Sequence, residues 1–592
     1  MNLAQSMPAK SRLPACSVAR VGLLCGIVLA TAATRLYGQL TIARPNFGVP
    51  EFVEIGSTFQ VEVKAAAGLN STQWVAALAN DLRIWTGTVE QVSYGTYADN
   101  GTVAGYRLRV RLPSGIPPEV FKLAVAHPSA GIATNRNAVS VLNCVETNFY
   151  IFHYADPQAE AYEPNNTDTG MYGTHGSVRE LFWHAPAVRL ANPRFMFDTG
   201  DELDNAYGTS VARYNEYKDG MCSMGVAVLA TRGNNDNAIT TADWRANIGI
   251  ETYSITMGSF YVCQKDVREN TYTTWFTNDY TAAFANTNIR YRLFGQHFNS
   301  NGDAKCPYFY APVAGQYPNL MLLGHGHVNA TIQSSPYTVL ETQQACNKGA
   351  IGFFNFVRGA TTWTCTTQAS PWFQLMTSGS AAKLTSAYAV ANNGSQFTNT
   401  VVITNTLAAN FWDGRIRFLA PAAAMGYQVT GGTILSQYDY NGGTNAAVLV
   451  KVNIPASSVT TVSIVRVDTD QEGMADDWER ACFGTLATAD ATTDSDGDGM
   501  LDRHEYLAGT APTNRQSVLM LAQPVFSAGG TQIEIPWASA SNKSYALMQS
   551  TNLALSFSIP LQAHIPATPP MNIWTTTVPA SVAGMFFRVE LE

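Results

Sequence analysis

Nine histidines occur in the chain, and two of them stand in "LMLLGHGHVNA", residues 320–330, as His325 and His327 around Gly326. The apolar run before them reads as a buried strand, so both imidazoles fall at a strand end. Other residues able to bind metal recur in the same setting. Asp156 and Gln158 follow "NFYIFHYA", Asp201 and Asp204 follow "RFMFDTG", Asn234 and Asp236 follow "MGVAVLATRG", and His297 lies in "FGQHF". Carboxylates, an amide and imidazoles at successive strand ends suit two borderline divalent cations, with one aspartate bridging them at about 3.5–4 Å. The glycines before Asp201, Asn234 and His325 are expected to turn the backbone sharply and bring the ligands together.

The order of these blocks, over about 146–360, resembles the calcineurin-like metallophosphoesterase superfamily. That family's blocks run Asp-x-His, Gly-Asp-x-x-Asp, Gly-Asn-His-Asp or Glu, a lone His, and Gly-His-x-His. The resemblance implies a four-layer α/β sandwich holding two divalent transition metals (Mn, Zn or Fe). It implies Asp201 as the bridging ligand, Asp156, Gln158 and His327 around the first metal, and Asn234, His297 and His325 around the second. It also implies hydrolysis of phosphate mono- or diesters by a metal-bound hydroxide.

Two positions depart from that pattern. Gln158 stands where the family has His, and an amide is the weaker ligand for a borderline metal, so a looser or harder first metal is expected. Asn235 stands where the family has a His that assists the leaving group. It can donate a hydrogen bond but cannot deliver a proton. The expected consequences are a slow enzyme, a substrate with a good leaving group, or another acid in the cleft. His175 and His184 are the nearby histidines, each ordinarily a surface or core residue. Asp204 and Asp236 are expected to support ligands or cap helices. Asp204 stands where purple acid phosphatases, whose layout also has a β-sandwich before the catalytic domain, carry Tyr, so no purple Fe(III) centre is expected. His153, three residues before Asp156, falls on the opposite strand face and reads as core. The competing reading is a catalytically degenerate phosphoesterase-fold binding or adhesion protein with a calcium-stabilised stalk.

The elements that must position these residues are apolar strands alternating with helix-compatible stretches, such as 177–190, which predicts an α/β domain over 146–375. Alternating patterns in "STFQVEVKAAAG" and "GYRLRVRLPSG" predict a β-sandwich over 40–145. Further β patterning predicts a second sandwich over 396–466 and a β module over 514–592, whose contact with a surface or polysaccharide is one role considered. The fold class is therefore multidomain, a central α/β unit flanked by all-β modules.

Between these β segments, 467–513 is acidic. "DTDQEGMADDWE" (468–479) and "DSDGDGMLDRHE" (494–505) fit twelve-residue calcium loops. The oxygen positions are Asp468, Asp470, Glu472, Asp476 and Glu479, then Asp494, Asp496, Asp498, Asp502 and Glu505. Glycine occupies position 6 in both, and Met474 and Met500 offer backbone carbonyls at position 7. Hard oxygen ligands favour Ca²⁺ over Zn²⁺. The second loop matches fully; Glu472 and Gln471 make the first a weaker binder. The segment resembles the thrombospondin type 3-like or dockerin-like repeats of exported bacterial proteins and reads as a calcium-stiffened connector.

Residues 1–38 read as a signal peptide, with Lys10, Arg12 and Arg20 before the apolar "VGLLCGIVLATAA". A secreted, periplasmic or cell-surface location follows, and no stretch is long enough to span a membrane. Seven cysteines lie beyond this leader (Cys144, Cys222, Cys263, Cys306, Cys346, Cys365 and Cys482), so any disulfide pairing leaves at least one thiol over. A formal charge of −8 without a basic run argues against nucleic acid as a partner.

Overall fold

A computed structural model describes residues 40–98, 102–159, 178–203, 211–266, 274–297, 316–335, 337–345, 349–367, 370–376, 381–527, 529–541, 543–554, 556–577 and 584–592. Residues 1–39, which include the expected signal peptide, and His175, Asp204, Cys306 and Cys346 lie outside the described residues. The chain is multidomain, with many β-sheets and few helices.

Eight strands between Thr41 and Leu142 form one hydrogen-bonded path. The long strand Ile84–Ala98 joins its two parts. It pairs with Val75–Ala79 through its first residues and with Thr102–Arg111 through the rest. Inward-facing residues such as Val61, Val63, Leu108, Leu123 and Val139 share one core.

Two six-stranded sheets follow. The first contains β1 (Phe149–Tyr154), β2 (Phe195–Asp198) and β3 (Ala227–Ala230), all parallel. The second contains β4 (Tyr253–Met257), β5 (Phe260–Lys265), β6 (Tyr291–Gln296), β7 (Leu320–Leu323), β8 (Ala330–Gln333) and β9 (Thr338–Glu341), with β5, β6, β7 and β9 parallel. The first sheet is completed by β10 (Ala350–Arg358), antiparallel to β1, with β11 (Trp363–Thr366) and β12 (Trp372–Gln374) pairing β10. Every residue of β1, β2, β3, β5 and β7 is buried. Strands covered on both faces read as unbroken apolar runs.

Ile151, Phe197 and Leu229 of the first sheet share an apolar cluster with Val262, Leu293 and Leu322 of the second. The outer face of the first sheet packs on α1 (Val178–Ala191), α2 (Val211–Ser223) and α3 (Thr241–Asn247) through Leu181, Tyr217 and Trp244. Phe276 and Tyr280 of α4 (Thr274–Ala285) cluster with Tyr261, Phe294 and Met321 of the second sheet. The parallel strands thus end together along one edge, and their C-terminal loops can converge.

Downstream, Leu384–Tyr388 already pairs with Asn399–Asn405, so β pairing begins before residue 396. These strands belong to a four-stranded sheet whose core merges with that of the helices. The acidic segment holds α5 (Asp476–Phe483) and α6 (Asp502–Ala508), and two three-stranded sheets follow it. Among the described residues no helix is long and apolar enough to cross a membrane. Cys144, Cys222, Cys263, Cys365 and Cys482 carry free thiols.

Candidate metal centre

The loops leaving β1, β2, β3, β6 and β7 bring Asp156, Asp201, Asn234, His297, His325 and His327 into one cluster. His297 is at its centre. A carbonyl oxygen can only accept, and Nδ1 of His297 lies 2.9 Å from the Thr199 carbonyl, so that nitrogen carries the hydrogen. Nε2 faces inward, 3.2 Å from Asp201 Oδ2, 3.1 Å from Asn234 Oδ1 and 3.8 Å from Asp156 Oδ1. Ligand atoms of Asp201, His297 and His325 all lie within 4.8 Å of one another. His327 Nε2 approaches Asp156 Oδ1 at 3.3 Å. That oxygen is buried and accepts no hydrogen bond, a cost that a cation would remove.

The backbone is held in an unusual state here. Eleven non-glycine residues among those described have positive φ, and five are Asp156, Gln158, Asp201, His325 and His327. Each such residue costs on the order of 1–3 kcal/mol and persists only where surrounding structure enforces it. The expected role of the glycines divides accordingly. Gly200 does turn the chain, at φ +101. Gly233 and Gly324 have ordinary φ and are required instead for close approach. A Cβ on Gly233 would stand 2.0 Å from Asp201 Oδ1, and one on Gly324 2.6 Å from Asp156 Oδ2.

Asp236 supports the arrangement from below. Fully buried, it accepts from the backbone amides of Asp201 at 3.0 Å and Gly233 at 2.9 Å and from the Tyr214 hydroxyl at 2.6 Å. His325 donates its backbone amide to Asp156 Oδ2 at 2.8 Å.

Gln158 is turned the wrong way for a ligand. Its Nε2 lies 3.4 Å from both Asp201 Oδ2 and His327 Nε2, while its Oε1 accepts from Gln344 Nε2 at 2.5 Å. To offer oxygen to a metal, the two amides would have to turn together. Gln344 was not singled out from the sequence, although it follows β9, a strand parallel to β7 and ending at the same edge.

Burial alone would push His297 down, but Asp201 and Asp156 outweigh it and raise its pKa to about 10. Burial opposes ionisation of Asp201, yet His297 and Asn235 hold it below the ordinary carboxylate range. His327 is raised, chiefly by the Asp156 carboxylate beside it; His325 is lowered, by burial and then by His297. The carboxylates thus hold a proton on imidazole where a cation would compete. Asp156, Asp201 and His297 are at most 1% exposed, whereas Asn234, Asn235, His325 and His327 are half-buried, so these four mark the mouth.

Two further histidines, His153 and His184, lie apart. His153 is fully buried between the hydroxyls of Thr199 and Thr342, and burial lowers its pKa to about 3. His184, on α1, is buried against the Tyr154 hydroxyl and lowered to about 4. Neither reaches the mouth.

The two acidic loops are built alike. Asp468 accepts from the amides of Gln471 and Gly473, and Asp494 from those of Gly497 and Gly499. Gly473 and Gly499 have φ of +97 and +98. Asp468, Asp470 and Glu472 cluster, as do Asp494, Asp496 and Asp498. Glu479 and Glu505 are completely buried, with no hydrogen-bond partner on either carboxylate oxygen. Asp476 and Asp502 instead close their loops, accepting from both amide and hydroxyl of Thr469 and Ser495.

No family model matches the chain, and no curated protein does. Solved structures similar to parts of it include a purple acid phosphatase from yellow lupin (Lupinus luteus) seeds, 12% identical, covering 50% of this chain and 67% of its own at a TM-score of 0.31. A dimetal phosphatase from Danio rerio is 11% identical and covers 37% of this chain and 98% of its own, at 0.28. Vps29 complexed with Zn²⁺ from Entamoeba histolytica is 10% identical and covers 37% of this chain and 97% of its own, at 0.17. These are distant, partial likenesses of shape.

Proposed function

We propose that the chain is an exported, metal-dependent phosphoesterase acting on phosphate mono- or diesters. The observation that carries this reading is the convergence of Asp156, Asp201, Asn234, His297, His325 and His327 at one sheet edge, with an unsatisfied carboxylate oxygen on Asp156. The donor set fits one cation held by Asp201, Asn234, His297 and His325. It fits a second, beside Asp156 and His327, less well, because Gln158 presents nitrogen there. Such cations supply positive charge to a phosphoryl group and acidify water.

The chain's own residues do the rest. Asp201, centrally placed between both groups of ligands, is held by two hydrogen bonds from Asn235. The half-buried Asn234, Asn235, His325 and His327 admit the ester from the solvent side. Asn235 offers a donor without a transferable proton, so esters with good leaving groups are favoured. The reading takes 146–375 as a four-layer α/β domain, with β modules at 40–145, 396–466 and 514–592.

The 467–513 segment is proposed as a Ca²⁺-binding connector. Its support is the pair of buried glutamates without partners and the docking of both helices on the preceding β module. Arg466 pairs with Asp477 at 3.0 Å and lies over the Tyr506 ring, and Trp478 packs on Tyr506. Residues 1–38 are taken as the signal that directs the chain out of the cytoplasm.

The test is hydrolysis of chromogenic phosphomonoesters and phosphodiesters with Mn²⁺, Zn²⁺ or Fe²⁺, beside Asp201→Ala. Turnover absent from the variant supports the enzyme. The orientation of Gln158 favours a second reading, a binding or adhesion protein on a degenerate phosphoesterase fold with a calcium-stabilised stalk. A folded protein that neither turns over nor retains transition metal would establish that reading.

A further inference from the structure

A cleft of about 430 Å³ opens between β10 and the strand Phe411–Pro421 of the next β module. It is far from the metal centre. Asn148, on its wall, precedes β1, whereas Asp156 follows that strand. Six residues of extended chain put the two sites roughly 20 Å apart.

None of the lining residues is charged. Three are asparagines. The amides of Asn148 and Asn410 are anchored through their oxygens, which accept from the backbone amides of Arg358 at 2.9 Å and Ala456 at 2.6 Å. Both NH₂ groups are left as fixed donors. Asn355, on β10, has a buried Oδ1 without a partner. Thr366 adds an exposed hydroxyl, and Phe353 and Trp412 give apolar walls. Tyr150 packs on the Trp412 ring at 5.2 Å, edge to face, and fixes it. Lys451, 5.4 Å from that ring, is paired with Asp413 at 3.5 Å.

We infer that this cleft is a binding site for a neutral saccharide. The oriented amides of Asn148 and Asn410 supply donors to neighbouring hydroxyls, the Thr366 hydroxyl can donate or accept, and an indole offers an apolar face to ring C–H groups together with one N–H. A phosphate or carboxylate ligand would find no cation on the wall. Clefts of about 300–1,000 Å³ hold small ligands, and this one has room for about one or two sugar rings. The site is independent of the metal centre and would hold the protein on a glycan surface.

The experiment titrates the full chain with maltose, cellobiose and N,N′-diacetylchitobiose by isothermal calorimetry. The expected result is saturable binding of at least one of them, with Kd of about 1 mM or tighter. Asn355→Ala and Trp412→Phe should each weaken it about tenfold or more, with the unfolding midpoint unchanged. Should either variant misfold, Thr366→Val, at an exposed strand end, serves the same comparison. No saturable heat with any of the three sugars overturns the proposal, as does binding that survives the substitutions in folded protein.

Discussion

Asn235 donates to both oxygens of Asp201, from its backbone amide to Oδ1 and from its side-chain amide to Oδ2, each at 2.8 Å. Asn235, one of the two departures from the pattern that the sequence resembles, is therefore the clamp on the central carboxylate. Replacing Asn235 with Ala removes one of these bonds and leaves a buried carboxylate oxygen short of a donor. Turnover should fall about 10–100-fold. Asn235→His tests the missing proton donor. Its activity on alkyl phosphates should rise relative to that on nitrophenyl phosphate, by up to about 10²-fold, the low end of general-acid assistance. A ratio that stays constant would mean that leaving-group protonation does not limit the reaction.

Metal stoichiometry should reflect Gln158. The wild-type chain is expected to retain one transition metal per chain through dialysis, and Gln158→His to retain close to two, because imidazole replaces an amide that points its nitrogen inward. Elemental analysis after dialysis reads this directly. Two tightly held metals in the wild type would show that the Gln158–Gln344 pair turns over on loading.

Calcium should stabilise the connector independently of the metal centre. Ligand at about 100 Kd adds about 2.7 kcal/mol, so millimolar Ca²⁺ should raise the midpoint of a transition that EDTA lowers. Glu505→Gln should abolish most of that shift, and Asp201→Ala should leave it intact. Differential scanning calorimetry separates the two; a shift unchanged in Glu505→Gln would place calcium elsewhere.

Acid should destabilise the domain that buries His184. Its pKa is lowered by burial to about 4, whereas the unfolded chain protonates near 6.5. Between these values the unfolded state binds more protons, so stability rises with pH and is lost as pH falls from about 6.5 toward 4. The loss from this one residue is on the order of 2 kcal/mol by pH 5. His184→Phe should flatten that part of the profile in urea titrations at pH 7 and pH 5. An equal acid loss in wild type and variant would refute the assignment.

Gly233→Ala should damage the centre without replacing any ligand. Its methyl would stand 2.0 Å from Asp201 Oδ1 and 2.3 Å from the Asp201 amide nitrogen. Backbone must shift, at a cost of about 1–3 kcal/mol, and retained metal should fall with it. Gly499→Ala, at φ +98, strains only the second acidic loop and should spare transition-metal binding.

The sequence by itself determined the features whose geometry is local. Twelve-residue acidic loops carry their spacing in the chain, and Asp468 meets Gly473 as directly as Asp494 meets Gly499. Largely apolar strands ending in polar residues were equally legible, because burial on both faces favours apolar side chains along the whole strand. So was the core placement of His153, from strand parity alone. Tertiary structure decided what depends on distant segments meeting. His327 and Asp156 come together only because β1 and β7 lie in different sheets that end along one edge. The same convergence turns Gln158 toward Gln344, crowds Gly233 against Asp201, and forces five site residues into positive φ. None of these has a signature in spacing, since each reflects how closely two loops are pressed together, and that is set by the packing of the sheets beneath them.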